Sequence, residues 1–194
     1  MSSSEEPTGG TESPEQDRAD PALGSLVDIL AIIESAKARG GVEGLERFIA
    51  NALADSPEGQ VAEAAEVALE IIESVPIFLV RARQEAEDRQ LSSVVYPLLD
   101  TAERYYLQPV DLIPEMTQGL AGLLDDSYLV IRILQNLDRG PQPFLDWDLD
   151  HPIRFLGRLI GPAIGQRLDK IAMDAMNEVS ANLGALWDRM AHPA

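Results

Sequence analysis

Apolar residues recur at steps of three and four along most of the chain, and no stretch alternates with period two for long enough to form a strand. The pattern predicts an all-α fold, a multi-helix bundle. Asp20 and Pro21 make an N-cap and first-turn pair, and Leu23, Leu26, Val27, Leu30 and Ile33 follow as one helical face. Gly40 and Gly41 mark its end. A short second helix is expected through Leu45, Phe48, Ile49 and Leu53. A third starts at Ser56-Pro57-Glu58, with Val61, Ala65, Ala68, Leu69 and Ile72 turned inward. Its opposite side carries Glu63, Glu66, Glu70 and Glu73, which reads as a solvated face or, functionally, as a docking face for a basic helix. Pro76 is expected to break or kink this helix after Val75, leaving residues 77–89 as a new segment.

Residues 94–106 read as the next helix, with Leu98, Leu99, Ala102, Tyr105 and Tyr106 apolar. Residues 129–137 are helical again, up to Gly140 and Pro141. The final pattern is the most regular. Asp150 can cap a helix with Pro152 in its first turn, and Gly161-Pro162 bends or restarts it. Leu168, Ala172, Met176, Val179, Leu183, Leu186 and Met190 then hold a mean step close to one helical turn. This long C-terminal helix, 152–191, would run ~43 Å from residue 162 to 190 at 1.5 Å per residue. A domain of this length is about 40 Å across, so the helix either spans it or projects toward a partner. Its Met-containing stripe is core or an oligomer seam.

Composition changes this picture in three ways. The chain holds 194 residues with 15 Lys+Arg against 33 Asp+Glu, a formal charge of −18, which repels phosphate backbones and excludes sequence-independent nucleic-acid binding. The same charge disfavours direct binding to anionic lipid. There is no Cys, which removes thiol catalysis and thiolate metal sites, and the two histidines leave His151 as the one credible imidazole base. Residues 1–20 carry Glu5, Glu6, Glu12, Glu15, Asp17 and Asp20 against Arg18, with no aromatic or branched aliphatic side chain. Such a segment cannot bury enough surface to offset its ordering entropy, so a disordered acidic tail is expected. The rest, 21–194, reads as a single all-α domain. The N-terminus lacks the basic and apolar regions of a signal peptide, and no apolar run approaches ~18 residues, so a cytoplasmic chain is expected.

The stretch 105–134 is the least ordinary. Pro109 and Pro114 bracket Val110-Asp111-Leu112-Ile113, Glu115 follows, then Gly119 and Gly122, then Asp125-Asp126 at the opening of a helix. Physically this is a helix, a proline-locked elbow and the start of a second helix. Asp111 and Asp125 or Asp126 are placed to cap helix N-termini. Gly119 and Gly122 are too close for a nucleotide-binding loop and instead permit close helix approach. Residues 95–135 resemble the YkvA-like family, a bacterial and archaeal domain of unknown function. Its pattern of an aromatic helix end, a Pro-x-Asp-Leu-Ile-Pro elbow and an Asp-Asp pair appears here as Tyr105/Tyr106, Pro109, Asp111, Leu112, Ile113, Pro114, Gly122 and Asp125-Asp126. Glu115 stands where the family has Asp, Met116-Thr117-Gln118 replaces a further proline, and the turn is one residue longer. The resemblance implies a helical hairpin over 95–138 and no established chemistry; some relatives occur beside membrane-associated chains.

Three chemistries follow from the residues. Asp111, Glu115, Asp125 and Asp126 could converge on a divalent cation, against the alternative that they cap helices and brace the elbow. Asp146, Asp148 and Asp150 begin like an EF-hand loop, but His151 stands where Gly is required and Gly157 where Glu is required, which rejects it. Ser92, Ser93 and Ser127 lack a nucleophile-elbow setting and have only His151 as a base. The leading expectation is therefore a non-enzymatic helical interaction or scaffold module. It would bind a protein partner or self-associate through its C-terminal helix, with any membrane association made through a protein anchor. The alternative is a divalent-metal-binding regulator or metal-dependent enzyme centred on the proline elbow.

Overall fold

The computed structural model describes residues 21–54, 57–108, 119–138 and 143–191, with side chains described as far as Asn177. Among them are six helices and no strand: α1 (Pro21–Ala52), α2 (Glu58–Asp88), α3 (Ser92–Leu107), α4 (Leu123–Leu137), α5 (Asp150–Ile160) and α6 (Pro162–Ala191). A 3-10 turn, Gly119–Gly122, leads into α4. The fold is all-α, as the periodicity predicted. The acidic leader, the elbow at 109–118 and the loop at 139–142 lie outside the described residues.

α4 holds the bundle together. Of its 15 residues, all but Arg132 and Gln135 are buried, so other helices enclose it on nearly every side. α2, α3, α5 and α6 all pack on it, and α1 lies against the 3-10 turn at its start. Val94, Val95, Leu98, Leu99, Ala102 and Tyr106 of α3 supply one wall of this core. Leu168, Ala172, Ala175 and Met176 of α6 supply another, so the first half of the C-terminal stripe is core. Val179, Leu183, Leu186 and Met190 fall beyond the described side chains.

Three sequence expectations are corrected. Of the break or kink expected at Pro76, the break does not occur: α2 runs from Glu58 to Asp88 with Pro76 inside it. A proline in a helix interior costs ~3 kcal/mol or more. Here Ile72, Val75 and Leu79 are buried on both sides of it, and that packing holds the helix together. On α1 the inward face is Ile29, Ile33 and Ala36; Val27 and Leu30 are 59% and 50% exposed. The helix is apolar around more than half its girth there, so periodicity alone could not choose the buried side. The span 152–191 is two helices, since Gly161 at φ +82° ends α5 and Pro162 starts α6. The end expected at Gly40 and Gly41 is present: Gly41, at φ +55°, ψ −168°, is a non-helical kink that divides α1 into two helices, the second carrying Leu45 and Ile49.

That kink seats the 3-10 turn. Gly119 has φ +55°, and a Cβ there would lie 3.2 Å from the Ala36 carbonyl oxygen and 3.5 Å from Gly40 Cα. The two backbones approach this closely because Gly119 has no side chain. Gly119→Ala therefore combines a left-handed strain with a collision against backbone and is expected to cost about 2 kcal/mol in urea unfolding. Gly44→Ala, in a helical position with nothing within 4 Å, is expected to add roughly 0.5–1 kcal/mol.

Candidate functional site

The four elbow carboxylates separate into two groups. Asp111 and Glu115 lie outside the described residues. Asp125 and Asp126 occupy the third and fourth positions of α4 and are 3% and 4% exposed. Neither is the N-cap residue: Gly122 holds that position, because the 3-10 turn runs straight into the helix. Their charges still face the positive end of the α4 dipole. Among the described residues, no group of three or more His, Asp or Glu side chains could hold a metal ion.

Behind this pair the core is polar. Ser127 is fully buried and Asn136 is 2% exposed. The Tyr106 hydroxyl faces Ser127 without a hydrogen bond of ordinary geometry. Burial pushes the Tyr106 phenol well above its usual range, and the nearby Asp126 charge adds to that while Ser127 opposes it. Ser127 is thus sealed against Tyr106, while Ser92 and Ser93 open α3 and His151 is exposed at the start of α5. Among the described residues no serine is hydrogen-bonded to His151, and the arrangement contains no nucleophile–base pair.

The acidic loop before α5 braces structure. Asp138 Oδ1 accepts from the Phe144 and Leu145 amides at 2.8 and 2.9 Å, and Asp148 Oδ1 accepts from the Asp150 amide at 2.9 Å. The Gln135 side-chain amide donates to Asp150. Trp147 packs on Phe78 of α2 with ring centroids 4.9 Å apart, and the Arg89 guanidinium sits 5.4 Å over Phe144. A cleft of about 380 Å³ beside this loop is lined by Arg132, Asp138, Trp147 and Asp150 among others. Arg132 Nε is already bound to Asp169 Oδ1 of α6 at 2.9 Å, so its charge is committed to the bundle.

Two polar clusters had no sequence signature. Glu103 of α3, 4% exposed, accepts from Ser25 Oγ of α1 at 2.5 Å and from Arg83 Nη2 of α2 at 2.8 Å. Arg83 also reaches Asp100 Oδ1 at 2.8 Å. Burial works against the Arg83 charge, but the bonds to Asp100 and Glu103 outweigh it, and the group is held firmly protonated. The cluster pins three helices to one register. It brings together residues 78 positions apart, a separation that local pattern cannot reveal. On the far side, the Tyr128 hydroxyl donates to Asp169 Oδ1 at 2.9 Å, joining α4 to α6.

The surface over the α1–α2 seam is the best candidate for function. Val27 and Leu30 on α1, and Ile77 and Val80 on α2, are exposed, the last two at 59% and 46%. Two anchors bracket them. Lys37 Nζ meets Glu73 Oε1 at 2.5 Å on one side, and Ser25 and Arg83 share Glu103 on the other. Val27 and Leu30 fall between these anchors on α1, and Ile77 and Val80 fall between them on α2. The four side chains therefore occupy one stretch of the seam. The sequence signal for them was present, since too many apolar residues lie on α1 for one buried stripe. Compared with protein-family models, with curated proteins and with solved structures, the chain matches none.

Burial and the Asp169 carboxylate push Tyr128 up to about 12 from 10, with Arg132 opposing. A phenol whose folded pKa is raised gives stability that is complete below pH 10 and is lost as pH climbs to about 12. Tyr106 adds in the same direction. Urea melts across this window should show wild type falling by about 1.4 kcal/mol per pH unit for each proton so held. The double variant Tyr106→Phe/Tyr128→Phe should fall less steeply; equal slopes would reject the assignment.

Proposed function

We propose that the chain is a non-enzymatic helical interaction module that presents the α1–α2 seam to a protein partner. One observation carries this reading: of the five large apolar side chains exposed among the described residues, four, Val27, Leu30, Ile77 and Val80, lie on the two neighbouring helices α1 and α2, and only Met173 lies elsewhere. Clustered exposed apolar surface marks interaction sites, whereas isolated residues do not. The flanking elbow is read as YkvA-like. That reading is supported by α3 ending at Leu107 and a separate helix starting at Leu123, with a 3-10 turn before it. No helix among the described residues is long and apolar enough to cross a membrane. With −18 overall, a cytoplasmic setting and an attachment to membranes only through a protein partner fit the charge.

Self-association through the apolar stripe of α6 would use its positions beyond Asn177, because Leu168, Ala172 and Met176 are already buried in the bundle. Light scattering is expected to give a mass above the monomer for the full chain and the monomer for Leu183→Glu/Leu186→Glu. Monomers in both remove α6 as a self-contact. For the seam, proximity labelling in the native cell is expected to lose its strongest partners in Ile77→Asp/Val80→Asp while circular dichroism stays unchanged. An identical set of labelled proteins would reject the module.

A second reading makes the elbow a divalent-cation site in a regulator or metal-dependent enzyme. The burial of Asp125 and Asp126 favours it, because adjacent carboxylates concentrate negative charge where solvent screening is weak. On this reading Mg²⁺, Ca²⁺ or Mn²⁺ raises the melting midpoint of the full chain, and Asp126→Asn abolishes the rise. No shift with any of the three ions rejects it.

A further inference from the structure

The apolar patch is one end of a longer stripe. Along α2, Glu63, Glu66, Glu70, Glu73, Ile77, Val80 and Gln84 follow one another at alternating steps of three and four, and all seven are exposed. This is the spacing of a helix-packing seam, here turned to solvent over ~32 Å of helix at 1.5 Å per residue. Its first four positions are acidic and the next two are apolar. α1 supplies the second edge with Val27, Leu30 and Glu34, also at steps of three and four and also exposed.

Charge decides what could cover it. Glu63, Glu66 and Glu70 have no ion-pair partner among the described residues, and Glu34 and Glu73 share the single ammonium of Lys37. Two carboxylates, bonding first from Glu34 and then from Glu73, raise the Lys37 pKa, as expected where negative charge is in excess. The chain's own leader carries six acids against Arg18 and would be repelled. A second copy would set the same acidic row against its like. Anionic lipid and nucleic acid are repelled for the same reason. The complementary occupant is a helix with Lys or Arg at steps of three and four along one half of a stripe and apolar side chains along the other.

We propose that the α1–α2 seam binds a cationic amphipathic helix from a partner protein, its apolar end on Val27, Leu30, Ile77 and Val80 and its basic end along Glu63, Glu66 and Glu70. This rests on the reading of the seam as an interaction surface and names the partner's chemistry. Such docking follows the helix-in-groove mode, in which apolar anchors give affinity and charge sets register and on-rate.

The test uses the full chain and synthetic 22-residue helical peptides in fluorescence anisotropy. The probe carries four Lys followed by three Leu on one three-and-four stripe, polar residues elsewhere, and is made in both chain directions. Two controls have the same length: one replaces Lys by Glu, and one scrambles the stripe at constant composition. Saturable binding is expected for one direction of the probe, at least tenfold tighter than either control and weakening as salt rises. Glu66→Gln/Glu70→Gln and Ile77→Asp/Val80→Asp are each expected to weaken it at least tenfold, with circular dichroism melts confirming that both variants fold. Equal binding of the scrambled peptide, or unchanged affinity in both variants, overturns the proposal. Absence of saturable binding also overturns it. If partner labelling still depends on Ile77 and Val80 in that case, the interaction module stands and only the cationic partner falls.

Discussion

The structure depends on a helix that cannot face water. α4 is buried around nearly its whole circumference, and its 15 residues reach solvent mainly through Arg132 and Gln135. A helix of that length is marginal alone, so its stability is tertiary in origin. Four helices pack on it, and the 3-10 turn before it ties in the fifth. The order of folding elements in space follows from this demand. The surrounding helices supply Leu, Ile, Val and Ala to the core and turn most of their charged residues outward, with Glu103 the buried exception.

What apolar burial leaves undetermined is register, and buried polar contacts fix it. Packing of aliphatic side chains tolerates sliding by a turn at modest cost; a bonded carboxylate does not. Glu103 holds Ser25 and Arg83 at once, and Asp169 holds Tyr128 and Arg132. Removing Arg83 would leave the buried Glu103 charge uncompensated, a loss of about 3–5 kcal/mol in comparable cases. The contact of Gly119 with Ala36 and Gly40 adds a steric constraint, since a Cβ at Gly119 would press on the Ala36 carbonyl oxygen. α1 and α2 are joined by Glu103 at one end of the seam and by the partly exposed Lys37–Glu73 pair at the other.

The same α2 helix serves both purposes. One side closes the core through Ile72, Val75, Leu79 and Ala82, and the other carries the acidic and apolar stripe. Pro76 lies at the junction between Glu73 and Ile77, buried on the core side. It removes one backbone donor, yet the packed neighbours on either side keep the two halves of the stripe on a single helix.

Much of this was legible in the chain itself. Steps of three and four gave the helices, proline and glycine gave most of their ends, and the inward residues of α2 and α3 were read correctly apart from the half-buried Leu69 and Tyr105. These features are local, because a helix and its caps are set by residues within a few positions of one another. The elements that were misjudged share a cause. Which side of α1 is buried and whether Pro76 breaks α2 each depend on what packs against them. The Glu103 cluster and the Gly119 contact join residues far apart in sequence, so no window of the chain contains them. The exposed seam is likewise decided in three dimensions. The sequence determined that Val27, Leu30, Ile77 and Val80 are apolar; only the tertiary structure decided that they would stay in water, because α4 could be enclosed without them.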